Sequence, residues 1–229
     1  MSGRLYGGEP LHARRRDQRE RLIEAAREVF ADRGYAGASI DEIVSGARVS
    51  RTSFYRFFAG KEECMLAVFE EAIERLTAAF GEASDAGTGE QRIRVGVRGI
   101  VAGLAADPAT ARVVLVEAVG ASPRIELARI EARARFAGLL AAEMRRYPGW
   151  RGRDPREVEL TASATMAAVA ESVSELFAGD RAGEWEEIVE PLTRFALRAL
   201  TPEGERVPGA SEVAARGSGV RVDELGDQR

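Results

Sequence analysis

Histidine, lysine and cysteine occur once each in the 229 residues, as His12, Lys61 and Cys64. One cysteine cannot close an internal disulfide or build a thiolate metal cluster, which fits a reducing compartment and a cytoplasmic protein. One histidine removes any site with two imidazole ligands, and any Ser-His-Asp constellation would depend on a residue in a polar N-terminal stretch. No run of about 18 apolar residues occurs, and no apolar segment precedes a cleavage site near Met1. Neither a membrane span nor a secretory leader is expected. No strand-length run alternates β-branched with polar residues, so the chain is predicted to be all-α. A Walker loop is missing, and Gly96, Gly99 and Gly103 have the wrong spacing for a dinucleotide fingerprint, with no strand before them. No metal, cofactor or catalytic residue is expected.

What is present is an uneven charge distribution. Residues 1–61 carry twelve cations against eight acids, a net +4, whereas the remainder stands at −8. A basic end on an acidic body suggests that one end meets a polyanion.

Residues 1–12 are Gly-rich and read as a flexible arm. Leu22, Ala26, Val29 and Phe30 then form one apolar stripe of a helix over 13–33, which Gly34 closes. Ser39, with Glu42 three residues on, forms a capping box for a helix with Ile40, Ile43 and Val44 on one face. After a turn at 47–49, Ser50 caps a short helix expected over 51–58. A longer helix begins at Lys61 and runs to about Phe80. Residues 81–90 read as a loop. Five helical stretches follow, near 91–106, 108–119, 122–147, 155–179 and 184–200, with Pro108, Pro123 and Pro155 suited to first turns. Residues 203–229 are poor in large apolar groups and read as a disordered tail. The organisation predicted is an arm (1–12), a three-helix domain (13–60), a connecting helix (61–80), a helical domain (81–202) and a tail (203–229), with about nine helices in all.

Residues 39–61 have the layout of a helix-turn-helix, in which the second helix enters the DNA major groove by its N-terminus. Arg51, Thr52 and Ser53 open that helix, and Phe54 and Phe58 can anchor it. An arginine can pair with guanine O6 and N7, and a threonine methyl can pack on thymine.

The segment from about Arg19 to Phe69 resembles the TetR-type (tetracycline-repressor-like) transcriptional regulators. The carriers are Ile23, Ala26, Phe30, Gly34-Tyr35, Ser39-Ile40, Ile43, Ala47 and above all the run VSRTSFYRFFAGKEE from Val49 to Glu63. The resemblance implies that Ser53, Tyr55 and Lys61 grip phosphates, that Ser39 opens the helix abutting the DNA backbone, and that Arg51, Thr52 and Arg56 read bases. It further implies a C-terminal ligand-binding and dimerisation domain whose last two helices pair with a second copy. Arg48 stands where the family usually has glycine, which calls for a positive φ, and Phe57 replaces the commoner tyrosine or histidine. Leu192 and Phe195 are expected on the dimer surface.

Glu117 lies in an almost wholly apolar stretch, so it either pairs with an arginine such as Arg112 or Arg135 or faces a cavity. Phe136, Met144, Trp150 and Met166 could line such a pocket or simply fill the core, and Glu171 poses the same question as Glu117. The function expected is a homodimeric repressor that binds double-stranded DNA at a pseudo-palindromic operator. A small apolar or amphipathic effector would release it. The alternatives are a helical enzyme using carboxylates alone, or an adaptor with a degenerate helix-turn-helix.

Overall fold

The computed structural model describes residues 11–82, 87–178 and 182–200. Residues 1–10 of the expected arm (1–12), the centre of the expected loop (83–86) and the expected tail lie outside the described residues, while residues 11 and 12 of the arm already belong to the first helix. Those described are all helical, with no strand. The order is α1 (Leu11–Gly37), α2 (Ile40–Ala47), α3 (Arg51–Phe54), α4 (Lys61–Glu82), α5 (Gly89–Ala106) and α6 (Pro108–Arg112), which runs on into a π-turn (Val113–Glu117). After it come α7 (Pro123–Met144), a 3-10 turn (Pro148–Trp150), α8 (Pro155–Ala178), a second 3-10 turn (Ala182–Glu184) and α9 (Trp185–Leu200).

Local chemistry sets these boundaries. The Ser39 hydroxyl accepts the Glu42 N–H while the Glu42 carboxylate accepts the Ser39 N–H, so α2 starts on the expected capping box. Arg48 closes α2 in the left-handed region at φ 53° and ψ 46°, the positive φ that its side chain disfavours. Ser50, Thr88, Asp107 and Ser122 each cap the helix that follows them. Pro108 and Pro123 occupy first turns, where the missing N–H has no partner to lose.

Four expectations need correction. The helix that Gly34 was to close carries on for another turn to Gly37, beyond a break at Gly34. The third helix stops at Phe54 rather than Phe58, because Arg56 and Phe57 bond back only three residues, to Ser53 and Phe54. That tightening turns Phe58 into the core, where it meets Phe54 with ring centroids 5.5 Å apart. The stretch expected over 108–119 is broken by the π-turn, in which the Ala118 N–H reaches back five residues to the Val113 carbonyl at 2.9 Å. The stretch expected over 122–147 ends its α-helix at Met144.

The head is α1 packed on α2 and, through it, on α3. Leu22, Ala26, Phe30, Ile43 and Phe54 are fully buried, and this apolar interior is continuous with that of the rest of the chain. α4 leaves the head and packs on α5 and α7, while α7 lies along α8 and α5 along α9. Trp150 donates its indole N–H to the Leu200 carbonyl at 2.6 Å, which ties the end of α9 to the turn after α7. Met144 is fully buried and Trp150 nearly so, both as core. No single described helix is long and apolar enough to cross a membrane.

Cys64 is fully buried at the start of α4, and burial pushes its thiol up to about 12. The thiol is then held protonated around neutral pH. An aromatic disulfide reagent is expected to titrate Cys64 only after denaturant is added. Labelling of the folded protein at the rate of free cysteine would show that this core opens.

Candidate functional site

Two features stand out as sites: the exposed face of the helix-turn-helix and a cavity between α4, α5, α7, α8 and the π-turn. At the first, α3 and the turn that follows it are held from below by Phe54 and Phe58, and their outer face carries exposed Arg51, Thr52, Tyr55 and Arg56. Arg51 donates to the Asp41 carboxylate at 2.6 Å and lies 5.9 Å from the centre of the Tyr55 ring. Ser39 is exposed at the start of α2, with its hydroxyl engaged by Glu42. The hydrogen bond from the Ser39 hydroxyl, and then that from its backbone, hold the Glu42 carboxyl below its ordinary value.

Two of the expected contact residues sit differently. Ser53 is buried, its hydroxyl 3.0 Å from that of Ser50 and accepting from Arg56 at 3.0 Å, so it is not on the outer face. Lys61 donates to the Ala36 and Ala38 carbonyls at 3.2 and 3.0 Å, with its ammonium 4.8 Å from the centre of the Tyr35 ring. An ammonium has three N–H bonds, so one is left for another acceptor.

The lysine contacts belong to a junction built on Gly34. At φ 72° and ψ 162° this residue occupies a region open essentially to glycine alone. The break makes Tyr35 the first residue of a new turn, which the bond from the Ala38 N–H to the Gly34 carbonyl closes. Its N–H donates to Glu117 Oε2 at 3.1 Å, so a carboxylate from the π-turn caps a turn of the head. Burial, and then the nearby Glu62, raise the Tyr35 phenol above its ordinary value. Glu117 also meets Arg112 at 3.3 Å, which is the pairing expected of it, and it is not in the cavity lining. Eight residues up α1, Arg27 donates to Asp107 at 2.6 Å. Burial works to raise the Asp107 carboxyl, but hydrogen bonds from Thr110 and the charge of Arg27 outweigh it and hold it low.

The cavity has about 760 Å³ of space, including its open mouth. Phe136 and Met166 line it, together with Phe69, Ile73, Leu104, Val114, Leu115 and Val173. Met144 does not line it, and Glu171 is an exposed residue of α8 that does not line it either. Among the described residues, the charged side chains in the wall are Arg129 and Arg133, which sequence reasoning missed. Their spacing with Phe136 on α7, at i, i+4 and i+7, was the signal that put all three on one face. Arg129 is matched by Glu126 at 2.8 Å, whereas Arg133 is exposed.

These features define a class: an all-helical protein with an N-terminal helix-turn-helix head and a helical body that encloses an apolar cavity. Residues 22–68 match the sequence profile described as "Bacterial regulatory proteins, tetR family". The head is thus similar to the DNA-binding part of tetR-family regulators. It is 39% identical over 84 residues to the HTH-type transcriptional activator FasR of Mycolicibacterium smegmatis, covering 36% of this chain and 38% of that protein. To the HTH-type transcriptional regulator EthR of the same organism it is 28% identical over 112 residues, covering 48% of this chain and 51% of the relative. The chain thus spans between about two fifths and one half of the length of these curated relatives. Among solved structures, the fatty acid degradation regulator FadR from Bacillus halodurans shares the fold at a TM-score of 0.68 and 22% identity, over 82% of this chain and 99% of that one. FadR from Bacillus subtilis, solved in complex with stearoyl-CoA, does so at 0.65 and 20%, over 76% and 97%.

A Cβ built on Gly34 would lie 2.9 Å from Glu117 Oε2, whereas one on Gly37 meets nothing nearer than 3.8 Å. Gly34→Ala is therefore expected to destabilise the fold by about 1–3 kcal/mol in urea denaturation, from strain and from the displaced carboxylate. Gly37→Ala should be close to neutral. Equal effects at the two positions would remove the junction as a site of strain.

Proposed function

We propose that the protein is a homodimeric, DNA-binding transcriptional regulator of the repressor type, released from a pseudo-palindromic operator by a small amphipathic effector. The observation that carries this reading is the outer face of α3. Arg51, Thr52, Tyr55 and Arg56 stand exposed on a stretch that two buried phenylalanines anchor in the core. In that reading Arg51 and Thr52 read base edges, with Arg56 beside them, while Tyr55, Ser39 and the free N–H of Lys61 meet phosphates. Buried Ser53 orients Arg56 instead of touching DNA. No step needs bond chemistry, so an enzymatic role is not invoked, and the site of action is the cytoplasm.

A dimer would set two α3 segments about one helical turn of DNA, roughly 34 Å, apart. Phe195 is 44% exposed on α9 and Leu160 is 69% exposed on α8, apolar groups suited to a second copy. Leu192 is buried within the chain and is no longer assigned to that surface.

The effector reading rests on the cavity. Its wall is apolar except for Ser174 and the two arginines, and the stearoyl-CoA bound by the FadR of B. subtilis pairs an acyl chain with an anionic group. An apolar chain ending in an acid is what Arg133 would orient here.

The test is selection of duplexes from random sequence, followed by titration of the selected duplex. Arg51→Ala should lose about 1–3 kcal/mol at one base position in each half-site. Lys61→Ala should weaken all sequences alike and lower the slope of log K against log salt by about 1. Failure to enrich any sequence would overturn the reading. Dodecanoate should then weaken duplex binding more than dodecylamine does, and Arg133→Gln should weaken dodecanoate binding about two- to fivefold. Equal action of acid and amine would leave an apolar effector without the acidic end.

A further inference from the structure

We infer that Glu117 is the positioning residue through which the cavity sets the seating of the DNA-binding head, an inference that rests on the effector-cavity reading above. The segment from Asp107 to Glu117 runs between two surfaces. On one side, Val114 and Leu115 form cavity wall. On the other, the segment is fastened to α1 at both ends, by Arg27 on Asp107 at 2.6 Å and by the Tyr35 N–H on Glu117 at 3.1 Å. Only its middle is left to answer what fills the cavity.

The middle is also the least regular helix of the body. Its turn is one residue wide of α-helical bonding, since Ala118 bonds to Val113. Closing it to ordinary α-helical bonds would turn the residues beyond it by about 100° about the axis. Glu117 is the last residue of that turn, so such a change carries its carboxylate off Tyr35. The Tyr35 N–H has no helical partner to fall back on, because Gly34 breaks α1 just before it. A half-buried donor would be left unpaired at the point where the chain enters the helix-turn-helix. Arg112, the other partner of Glu117, sits on the same segment and moves with it. The arrangement with Glu117 on Tyr35 keeps the head seated, and a cavity occupant that closes the turn unseats it.

The experiment builds the occupant into the protein. Ala170, in the α8 wall of the cavity, is replaced by phenylalanine, and amide hydrogen exchange is followed at Tyr35 together with binding of the selected duplex. Ala170→Phe is expected to speed Tyr35 exchange tenfold or more and to weaken duplex binding by about the same factor, a coupling of ordinary allosteric size. Glu117→Ala should show fast Tyr35 exchange from the outset, and adding Ala170→Phe to it should change duplex binding less than twofold. Glu117→Gln, which keeps an acceptor oxygen, should stay within about threefold of the parent and still respond to Ala170→Phe. An unchanged Tyr35 amide in Ala170→Phe overturns the inference. So does a full loss of binding from Ala170→Phe in the Glu117→Ala background. If Ala170→Phe does not fold, dodecanoate serves as the occupant of parent and Glu117→Ala protein, with the same two criteria. If the parent binds no duplex, the regulator reading falls, and the Tyr35 exchange alone decides whether the cavity reaches the head.

Discussion

A helix that breaks must find partners for the polar groups it frees, and the break in α1 at Gly34 imposes that demand at the entrance to the helix-turn-helix. The four residues after the break, 35–38, form one turn with a bare N–H at one end and bare carbonyls at the other. Neither end is satisfied locally. Glu117 comes from the body to take the Tyr35 N–H, and Lys61 comes from the start of α4 to take the Ala36 and Ala38 carbonyls. The charges have the signs that a helical turn favours, negative at its N–H end and positive at its carbonyl end. One turn thereby gathers α1, the π-turn and α4 at a point immediately before the Ser39 cap. The glycine is required twice over, for its dihedral angles and for the room that the carboxylate occupies.

That arrangement changes what the lone lysine means. A compact ammonium can satisfy two carbonyls, sit over a tyrosine ring and still offer a proton outward, whereas the planar guanidinium of the 32 arginines cannot converge its donors in the same way. The position is thus both a fastening of the head and, in the proposed reading, a phosphate contact. Arg27 plays a comparable part farther up α1, where it is mostly buried among Glu24, Glu28 and Asp107 and joins the head to the capped start of α6.

Local signals carried most of the fold. Ser39 with Glu42, Ser50, Pro108 and Pro123 each act within a few residues of themselves, and the elements they start lie where their spacing puts them. The features that escaped sequence reasoning depend on distant partners. Glu117 was legible as a carboxylate needing an arginine or a cavity; that it would also take a backbone N–H 82 residues away was not, because Tyr35 advertises its orphan donor only once Gly34 has broken the helix. The length of α3 was overestimated for a related reason, since the pull of the core on Phe58 shortens the turns after Phe54. Of the pocket candidates, Phe136 and Met166 face the cavity and Met144 does not. An apolar side chain carries no mark of whether its neighbour is another side chain or empty space.

The pairing of Arg51 with Asp41 bears on how such a face could discriminate. Both groups are more than half exposed, so water and salt screen their attraction and its loss costs little. On the proposed reading, Arg51 leaves Asp41 when it finds a guanine edge, and the carboxylate is then held near a strongly negative groove. A guanine that accepts two hydrogen bonds compensates for that repulsion, whereas a base that offers none leaves Arg51 on Asp41 and one cation fewer facing the DNA. The acid thereby subtracts affinity from the wrong sequence more than from the right one, which is selectivity obtained by penalising the competitor. Arg56 is restrained differently, by a neutral hydroxyl of buried Ser53, and gives up no ion pair on contact. On the proposed reading the two arginines therefore start from different restraints: Arg51 gives up an ion pair to reach a base, whereas Arg56 gives up only a neutral hydroxyl.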